Sequence, residues 1–488
     1  MQPDDIDREI AETSEAIAEI NDNLKITEFT YTDLGNGERF AAQHGENVRH
    51  VTEADMWYVW NGQKWKQDKG DGLRRLVKET VESIQLEYAE GKDGPKYRNK
   101  HFETSQSNGS MEAMLKCARN ELPIPVEFST FDNDRYLLNC GNGTVEVTTG
   151  AFHEHRRDDY QTKQTLVDYN ESATCPMFEA FLETAQRGNR ENIAYIQRAV
   201  GYAATAVMHE KCLFFLQGPT DTGKTLFLET IKNVFGDYAG ATPTDTLAAK
   251  QNRSGKIPND LARLRGLRLV VATESDQGDY LHEALVKQLT GGDTLVARFL
   301  NKEFFEFEPV CKFFFATNHL PRFHGGDSAL QRRIRLIPFN VQIPEADQNH
   351  NLKQVFRDEA EGILQWIIRG AIDWAERGLA TPAEILNVTA KMIRDNDALG
   401  QFFDEKCIIT SGAEISRPEL FREYRAWSEA GKRTPMSNQN FQAALESRGF
   451  YTDKVRKRFL DLGEASHYWR GIRLRTAGDL ENPETDVL

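Results

Sequence analysis

Apolar and polar positions change rhythm several times along the chain. Residues 1–28 set Ile and Ala among acids at helical spacing, as in IDREIAETSEAIAEI, and predict an exposed amphipathic helix or arm. From about Tyr31 to Thr165 the texture turns to short aromatic-rich runs. MWYVWNGQKW, with its Asn61-Gly62 turn signal, predicts a hairpin, and RLVKETVESIQLEYAEG predicts a helix, an α+β mixture. PMFEAFLETAQ and ENIAYIQRAVGYAATAV then repeat apolar residues at i, i+3 and i+4 and predict two packed helices. Between Cys212 and Phe339 the runs CLFFLQ, LRLVVAT, KFFFAT and RLIPF are apolar throughout and alternate with helical and turn segments. That pattern predicts strands buried on both faces of an α/β sheet. Residues 351–398 predict helices bearing Trp366 and Trp374, and 400–475 predict helix, helix and two short strands.

Composition narrows the class. The 488 residues suffice for roughly two to four domains. With 39% hydrophobic and 28% charged residues and a mean hydropathy of −0.59, wholesale disorder, collagen-like repeats and a membrane protein are excluded. No apolar window approaches the roughly 18 residues of a membrane span. The acidic start also lacks the basic or apolar character of a targeting segment, so the cytoplasm is the expected compartment and no membrane partner is expected. Cys117, Cys140, Cys175, Cys212, Cys311 and Cys407 lie far apart without a CxxC pair and read as reduced core residues.

The net charge of −15 argues against bulk coating of nucleic acid, but its distribution is uneven. Residues 1–30 hold nine acids against Arg8 and Lys25, a balance of −7, whereas residues 431–475 hold ten Lys/Arg against four acids, a balance of +6. A basic C-terminal segment in an acidic chain fits a local contact with a polyanion. There PELFREYRAWSEAG and SNQNFQAALESRGF read as two helices, followed by KVRKRF and the strand-like YWRGIRLR. Helix, helix and a two-stranded wing suit DNA, with Lys454, Arg456, Lys457 and Arg458 as candidate contacts.

The chemistry concentrates in the middle of the chain. CLFFLQ, GPTDTGKT and LFLETIKNVFG join a buried strand, a Gly-x4-Gly-Lys-Thr loop and an amphipathic helix, the context of a P-loop. The loop residues Gly218, Pro219, Thr220, Asp221, Thr222, Gly223, Lys224 and Thr225 are the candidate nucleotide cradle. The glycines let backbone N–H groups approach phosphate, and the helix dipole favours the anion. Lys224 is placed for the β- and γ-phosphates of ATP and Thr225 for Mg²⁺. A second acid must hold Mg²⁺ or activate water; LRLVVATESD offers Glu274 at a strand end and Asp276 two residues on. Asn318 ends VCKFFFATN, where a polar group can report the γ-phosphate or orient water, and Arg332 and Arg333 precede RLIPF as candidates for neutralising charge on a transferred phosphoryl group. TLVARFL and EFFEFEP flank Asn301-Lys302, predicting a hairpin that projects Lys302, helped by Arg298, towards a phosphate backbone. Asp132-Asn133-Asp134, His153-Glu154-His155, and His209 with Cys212 lack further ligands at metal spacing and read as turn, surface and core residues.

In order, GPTDTGKT, the acid after LRLVVAT, KQLTGGDTLVARFL, FFFATN and RRIRLIPF resemble the superfamily 3 helicases of the AAA+ lineage. The similarity is greatest to the helicase part of phage and plasmid primase-helicases and to poxvirus-type replicative NTPases. WYVWNGQKW and GAFHEHRRDDYQTKQTLVDYN resemble the region preceding that helicase, and the C-terminal helices resemble its winged helix, so the likeness covers roughly residues 30–475.

The resemblance implies an α/β fold: a P-loop, AAA+-like core with an α+β N-terminal domain and a C-terminal winged helix. It implies a homo-hexameric ring that uses ATP and Mg²⁺ to translocate 3′ to 5′ on single-stranded DNA in phage, prophage or plasmid replication. It assigns Glu274 to the acidic motif, Asn318 to the sensor, Lys302 to the DNA hairpin and Arg332 or Arg333 to a finger acting on a neighbour's nucleotide. Many members carry an N-terminal primase-polymerase domain; the chain starts just before the pre-helicase region, so priming is expected from a separate primase or polymerase. The expected organisation is an acidic arm (1–28), a pre-helicase domain (29–170), the ATPase core (171–345, with preceding helices at 176–210), a helical lid or linker (346–398), the winged helix (399–476) and an acidic tail (477–488). An initiator ATPase that binds origin duplex DNA without processive unwinding is the alternative function.

Overall fold

The aromatic runs of the N-terminal third pair as strands because alternate residues can bury one face of a pleated ribbon. The computed structural model describes residues 29–89, 92–242, 259–273, 281–298, 304–318, 328–344, 349, 351–431, 433–455, 466–476 and 479. It divides into two units, Met1–Glu171 with Gly236–Tyr238, and Ser172–Phe235 with Ala239–Leu488. The predicted acidic arm and tail lie outside the described residues, save Asp479 of the tail.

In the first unit, strands β1 (Val48–Val51), β2 (Met56–Trp60), β3 (Trp65–Gln67) and β4 (Pro125–Val126) form a sheet in the order β3-β2-β1-β4. β2 and β3 make the predicted hairpin with Trp60 opposite Trp65. Asn61 Oδ1 accepts from the backbone N–H of Gln63 (3.0 Å) and Lys64 (2.8 Å), and Gly62 takes a φ of 94°, which glycine adopts without strain. Helices Asp33–His44, Asp71–Ser83, Gly94–Ser105 and Asn108–Ala118 accompany this sheet, with Phe40, Val48, Val77, Met114 and Ile124 buried together. A second sheet of β5 (Leu137–Asn139), β6 (Thr144–Glu146) and β7 (Phe152–His153) is antiparallel throughout.

The second unit is built on a five-stranded sheet. Helices Pro176–Ala185 and Arg190–Ala204 lead into β8 (Leu213–Gln217), followed by helix Lys224–Phe235, β9 (Ala239–Ala241) and β10 (Leu269–Thr273). After helix Glu283–Gly291, the short antiparallel pair β11 (Leu295–Ala297) and β12 (Phe305–Phe307) precedes β13 (Lys312–Thr317) and β14 (Ile334–Pro338). The strand order is β14-β8-β13-β10-β9, and every pairing is parallel.

All-apolar strand sequences follow from this burial on two faces. Phe214 stacks on Phe314 (4.5 Å between ring centroids) and Phe215 on Phe315 (5.0 Å); because successive side chains alternate, the two pairs lie on opposite faces of the sheet. Each phenylalanine so buried contributes about 1.5–3 kcal/mol over exposure. The two leading helices contact each other, but Arg190–Ala204 packs mainly on helix Ala360–Arg377. Gly201 and Gly370 permit the approach: a Cβ on Gly201 would stand 2.1 Å from the Ala371 nitrogen, and one on Gly370 2.2 Å from the Gln197 oxygen.

The C-terminal segment adds two elements to the predicted helix, helix and strand pair. Helix Ala398–Lys406 and the ten-residue β15 (Cys407–Ser416) precede helices Arg417–Ala430 and Asn438–Ser447 and strands β16 (Thr452–Val455) and β17 (Ser466–Leu474). The sheet order is β15-β17-β16, with Trp469, Leu420, Tyr424, Phe441 and Ile472 at its core. All six cysteines are free; five are buried and Cys117 is half-buried. Among the described residues no helix is long and apolar enough to cross a membrane.

Candidate functional site

Crossovers between parallel strands are right-handed, so connections leaving in opposite directions run over opposite faces of a sheet. From β8 the chain moves across β13 and β10 to edge strand β9; from β13 it moves back across β8 to the other edge, β14. β8 and β13 are neighbours, which puts a topological switch point at their C-terminal ends, where open α/β sheets bind ligands. The pairing of Gln217 with Thr317 sets Gly218 and Asn318 side by side in register, each one residue beyond its strand. β10 ends at Thr273, level with Ala316. The predicted acids Glu274 and Asp276, which follow it, lie outside the described residues.

The glycine loop between β8 and helix Lys224–Phe235 is shaped by contacts that admit no side chain. A Cβ on Gly218 would come within 1.8 Å of the Phe339 carbonyl oxygen, and one on Gly223 within 2.5 Å of the Phe181 ring. Gly223 has φ 84° and Asp221 φ 60°, so the loop turns twice through the left-handed region, the backbone arrangement that forms anion-binding nests. Ile343 N–H donates to the Asp221 oxygen (3.0 Å), tying the segment after β14 to the loop.

Lys224 opens the helix and is largely buried, at 6% exposure. Its Nζ donates to the Gly218 oxygen (2.8 Å), the Pro219 oxygen and Thr222 Oγ1 (3.1 Å). Burial pushes the ammonium below the usual lysine pKa, and the Asp221 carboxylate opposes that shift. A phosphate would meet a desolvated, preoriented cation, while Thr225 in the first helical turn is exposed. Pro219 and Thr220 are exposed and Thr222 is buried, donating through Oγ1 to the Pro219 oxygen (3.1 Å).

An aromatic platform supports the loop. Phe178 stacks on Phe227 (6.1 Å) and meets Trp366 (5.2 Å) and Phe356 (5.5 Å) edge-on, Phe181 meets Phe356 (5.6 Å), and Phe227 lies 5.9 Å from Phe339. Glu359 caps helix Pro176–Ala185, accepting from Met177 N and Phe178 N at 2.9 Å each. These residues were not candidates from sequence. A phenylalanine reads only as core, and Phe178 meets Phe356 and Trp366 from helices some 180 positions further along the chain.

Arg332 and Arg333 stand at the other end of the sheet. They immediately precede β14, and the Arg333 carbonyl accepts from Leu213 N (2.8 Å) at the start of β8. The strand between them and the glycine loop spans roughly 13 Å at 3.3 Å per residue. Arg333 is engaged inside its own chain, donating from Nε to Thr290 Oγ1 (2.9 Å) and from Nη1 to the Ala329 oxygen (2.7 Å). Arg332 is exposed.

β11 and β12 are the two arms predicted for the hairpin, with Leu295 opposite Phe307. Lys302 lies outside the described residues. Arg298 is exposed beside β11, with its guanidinium 4.9 Å from the ring centre of Phe304, itself 53% exposed. Phe304 escaped sequence reasoning because EFFEFEP reads as one strand. At the C-terminus, Lys454 belongs to β16, while Arg456, Lys457 and Arg458 lie outside the described residues.

The remaining sequence patterns have structural partners. Asp132 accepts from Thr162 N (2.8 Å) and Thr162 Oγ1, Asp134 accepts from Tyr136 N (2.8 Å), and His153 Nε2 lies 3.8 Å from Asp159. Among the described residues no three His, Cys, Asp or Glu side chains converge as a metal site.

Comparison with known proteins adds relatives. Residues 37–187 match the family model "D5 N terminal like", and residues 216–333 match a "Family of unknown function (DUF5906)". The chain is 23% identical over 414 residues to "Putative helicase L207/L206" of Acanthamoeba polyphaga mimivirus, covering 76% of the chain and 43% of that protein. It is 25% identical over 263 residues to "Putative helicase 184R" of Invertebrate iridescent virus 6, covering 52% and 27%. It is 24% identical over 330 residues to "Putative primase C962R" of African swine fever virus (isolate Warthog/Namibia/Wart80/1980), covering 62% and 34%. The chain thus spans less than half the length of these curated relatives. Among solved structures, "The A form apo structure of NrS-1 C terminal region-CTR" aligns over 87% of this chain and 96% of that one, at 12% identity and a TM-score of 0.44. The relatives are of a viral helicase and primase type, enzymes named for work on nucleic acid.

Proposed function

We propose that the chain is an ATP-dependent replicative DNA helicase of the superfamily 3, AAA+ type, working as a homo-hexameric ring on single-stranded DNA. The observation that carries this reading is the glycine loop at the switch point, with Lys224 buried at its end and Asn318 in register beside it. The residues present fit a nucleoside triphosphate with Mg²⁺. Two left-handed loop positions suit a polyphosphate, Lys224 a non-bridging oxygen, and Thr225 the metal, with Glu274 or Asp276 completing its shell. Bound Mg²⁺ supplies charge neutralisation for the transferred phosphoryl group. Asn318 orients the attacking water, and Arg332 reaches the nucleotide of a neighbouring copy, because its place at the far end of the sheet removes it from the loop of its own chain.

Lys302 on the hairpin, with Arg298 and Phe304 at its base, contacts the translocated strand by charge and stacking. The C-terminal module, a winged helix in this reading, holds duplex DNA, including origin DNA, and Lys454 and the basic run Arg456, Lys457 and Arg458 contribute there. The setting of this reading is the replication of a viral, phage or plasmid replicon.

Steady-state ATP hydrolysis with and without single-stranded DNA tests this, for wild type and Lys302→Ala beside a sizing experiment with nucleotide. Stimulation by DNA that Lys302→Ala removes, with a ring-sized species, is the expected result. Hydrolysis indifferent to DNA would overturn the helicase assignment and leave a nucleotide-driven switch.

A further inference from the structure

An open cavity of about 730 Å³ lies on the C-terminal module, away from the glycine loop. Its wall is one side of helix Arg417–Ala430, including Arg417, Arg422 and Arg425; its other side is the first turns of helix Asn438–Ser447, with Asn438 and Gln442, and His467 of β17. Phe421, Pro418 and Ala426 give it an apolar floor, and Glu429 is its one acid. Three guanidinium groups against one carboxylate leave a formal +2 in a chain whose net charge is −15.

Arg417 is fixed in a way that surface arginines are not. Its guanidinium lies over the Trp469 ring, 5.5 Å from the ring centre, and one amino group donates to Gln442 Oε1. Gln442 is itself aligned by donating to Asn438 Oδ1 (2.9 Å), and Ser437 caps that helix by accepting from Asn440 N (3.2 Å). Among the described residues the Arg417 Nε and the Trp469 indole N–H are both buried without a hydrogen-bond partner. A stacked, amide-oriented guanidinium is a fork held in place for an anion at the cavity. The neighbouring arginines hold exposed ion pairs, Arg425 with Glu429 (3.0 Å) and Arg422 with Glu423 (3.6 Å), which an incoming phosphate displaces at little cost.

We propose that this cavity grips backbone phosphates of duplex DNA, with Arg417 as its fixed fork and Arg422 and Arg425 as its exposed pair. The placement favours a duplex over a free anion. In a helix-turn-helix, residues at the start of the second helix meet base edges while the first helix crosses the backbone, and the cavity spans the junction of the two helices. This rests on the reading of the chain as one that acts on DNA, and moves the main duplex contact from the basic 454–458 segment to the two-helix face.

The test is fluorescence anisotropy of a labelled short duplex with the full-length chain over a range of salt. Arg422→Glu with Arg425→Glu, at exposed positions, should weaken binding by at least about tenfold and reduce the salt slope by about two. Arg417→Lys, which keeps the charge and loses the fork, should weaken binding several-fold with the slope nearly kept. Duplex binding with the wild-type constant and slope in all these variants overturns the assignment. Absence of duplex binding by wild type overturns it together with the reading of this module as a DNA contact. ATP binding by Lys224→Ala protein that the double substitution removes would overturn it in favour of a free-nucleotide site. Wild-type hydrolysis, measured in parallel, reports on the ATPase alone: an inactive chain whose duplex binding still needs these arginines supports the cavity and removes the helicase.

Discussion

The two ends of the five-stranded parallel sheet are built to opposite specifications. At the C-terminal end the glycine loop is closed in by the Phe339 carbonyl, the Phe181 ring and the Ile343 N–H, and Lys224 is held by three oxygens of the loop. At the N-terminal end two adjacent arginines diverge: Arg333 turns into its own chain, while Arg332 is exposed. The strand between the two ends spans roughly 13 Å. In the function proposed above the loop holds the polyanion and Arg332 serves the nucleotide of a second copy, so that reading needs two copies of the chain.

The largest effects should come from substitutions at these two ends. Lys224→Ala should abolish ATP hydrolysis in a steady-state assay, because it removes the cation that the loop oxygens hold in place. Arg332→Ala should lower DNA-stimulated turnover by about a thousandfold, some 4 kcal/mol of barrier, with an unchanged melting temperature. A fall in melting temperature with turnover kept would instead make Arg332 structural.

Gly223→Ala sharpens the contrast from the loop side. The new Cβ must occupy a φ of 84° and meet Phe181, so thermal denaturation should show a loss of about 1–3 kcal/mol, and nucleotide binding should fall with it. Arg333→Ala is the smallest change. It removes donors to Thr290 and Ala329, at about 1 kcal/mol each, and should lower the denaturation midpoint while reducing turnover far less than Arg332→Ala. Equal losses of turnover from the two arginines would erase the distinction between them.

Much of the sheet was legible because continuous apolar runs have few uses other than strands buried on both faces. CLFFLQ, LRLVVAT, KFFFAT and RLIPF became β8, β10, β13 and β14. Strand β9 was not legible: Ala239-Gly240-Ala241 carries no apolar signal and is a strand only because β10 supplies its partner. β15 escaped for a related reason, since CIITSGAEIS is interrupted by Ser411-Gly412 and its register shifts between Ile409 and Glu414.

The glycine loop was legible as a turn leading into a helix, since its spacing is local in sequence. The aromatic platform beneath it and the opposite placement of the two arginines were not, because both depend on strand order, a non-local fact. Phe181 and Phe356 meet only once helix Pro176–Ala185 lies near Leu352–Asp358, and Arg332 becomes distant from Lys224 only once β14 runs parallel to β8. The cavity beside Arg417 was invisible for the same reason: its fork is defined by Trp469, more than fifty residues away.

The most direct test of the two-ended site is to mix two inactive proteins. Lys224→Ala keeps the arginine and loses the loop cation; Arg332→Ala keeps the loop and loses the arginine. If the site is shared between copies, mixed rings contain interfaces with an intact loop facing an intact arginine, and DNA-stimulated hydrolysis should reappear as the proteins are combined, with a maximum at intermediate ratios. Mixtures that form rings yet stay as inactive as either protein alone would contradict a site completed by a neighbouring chain.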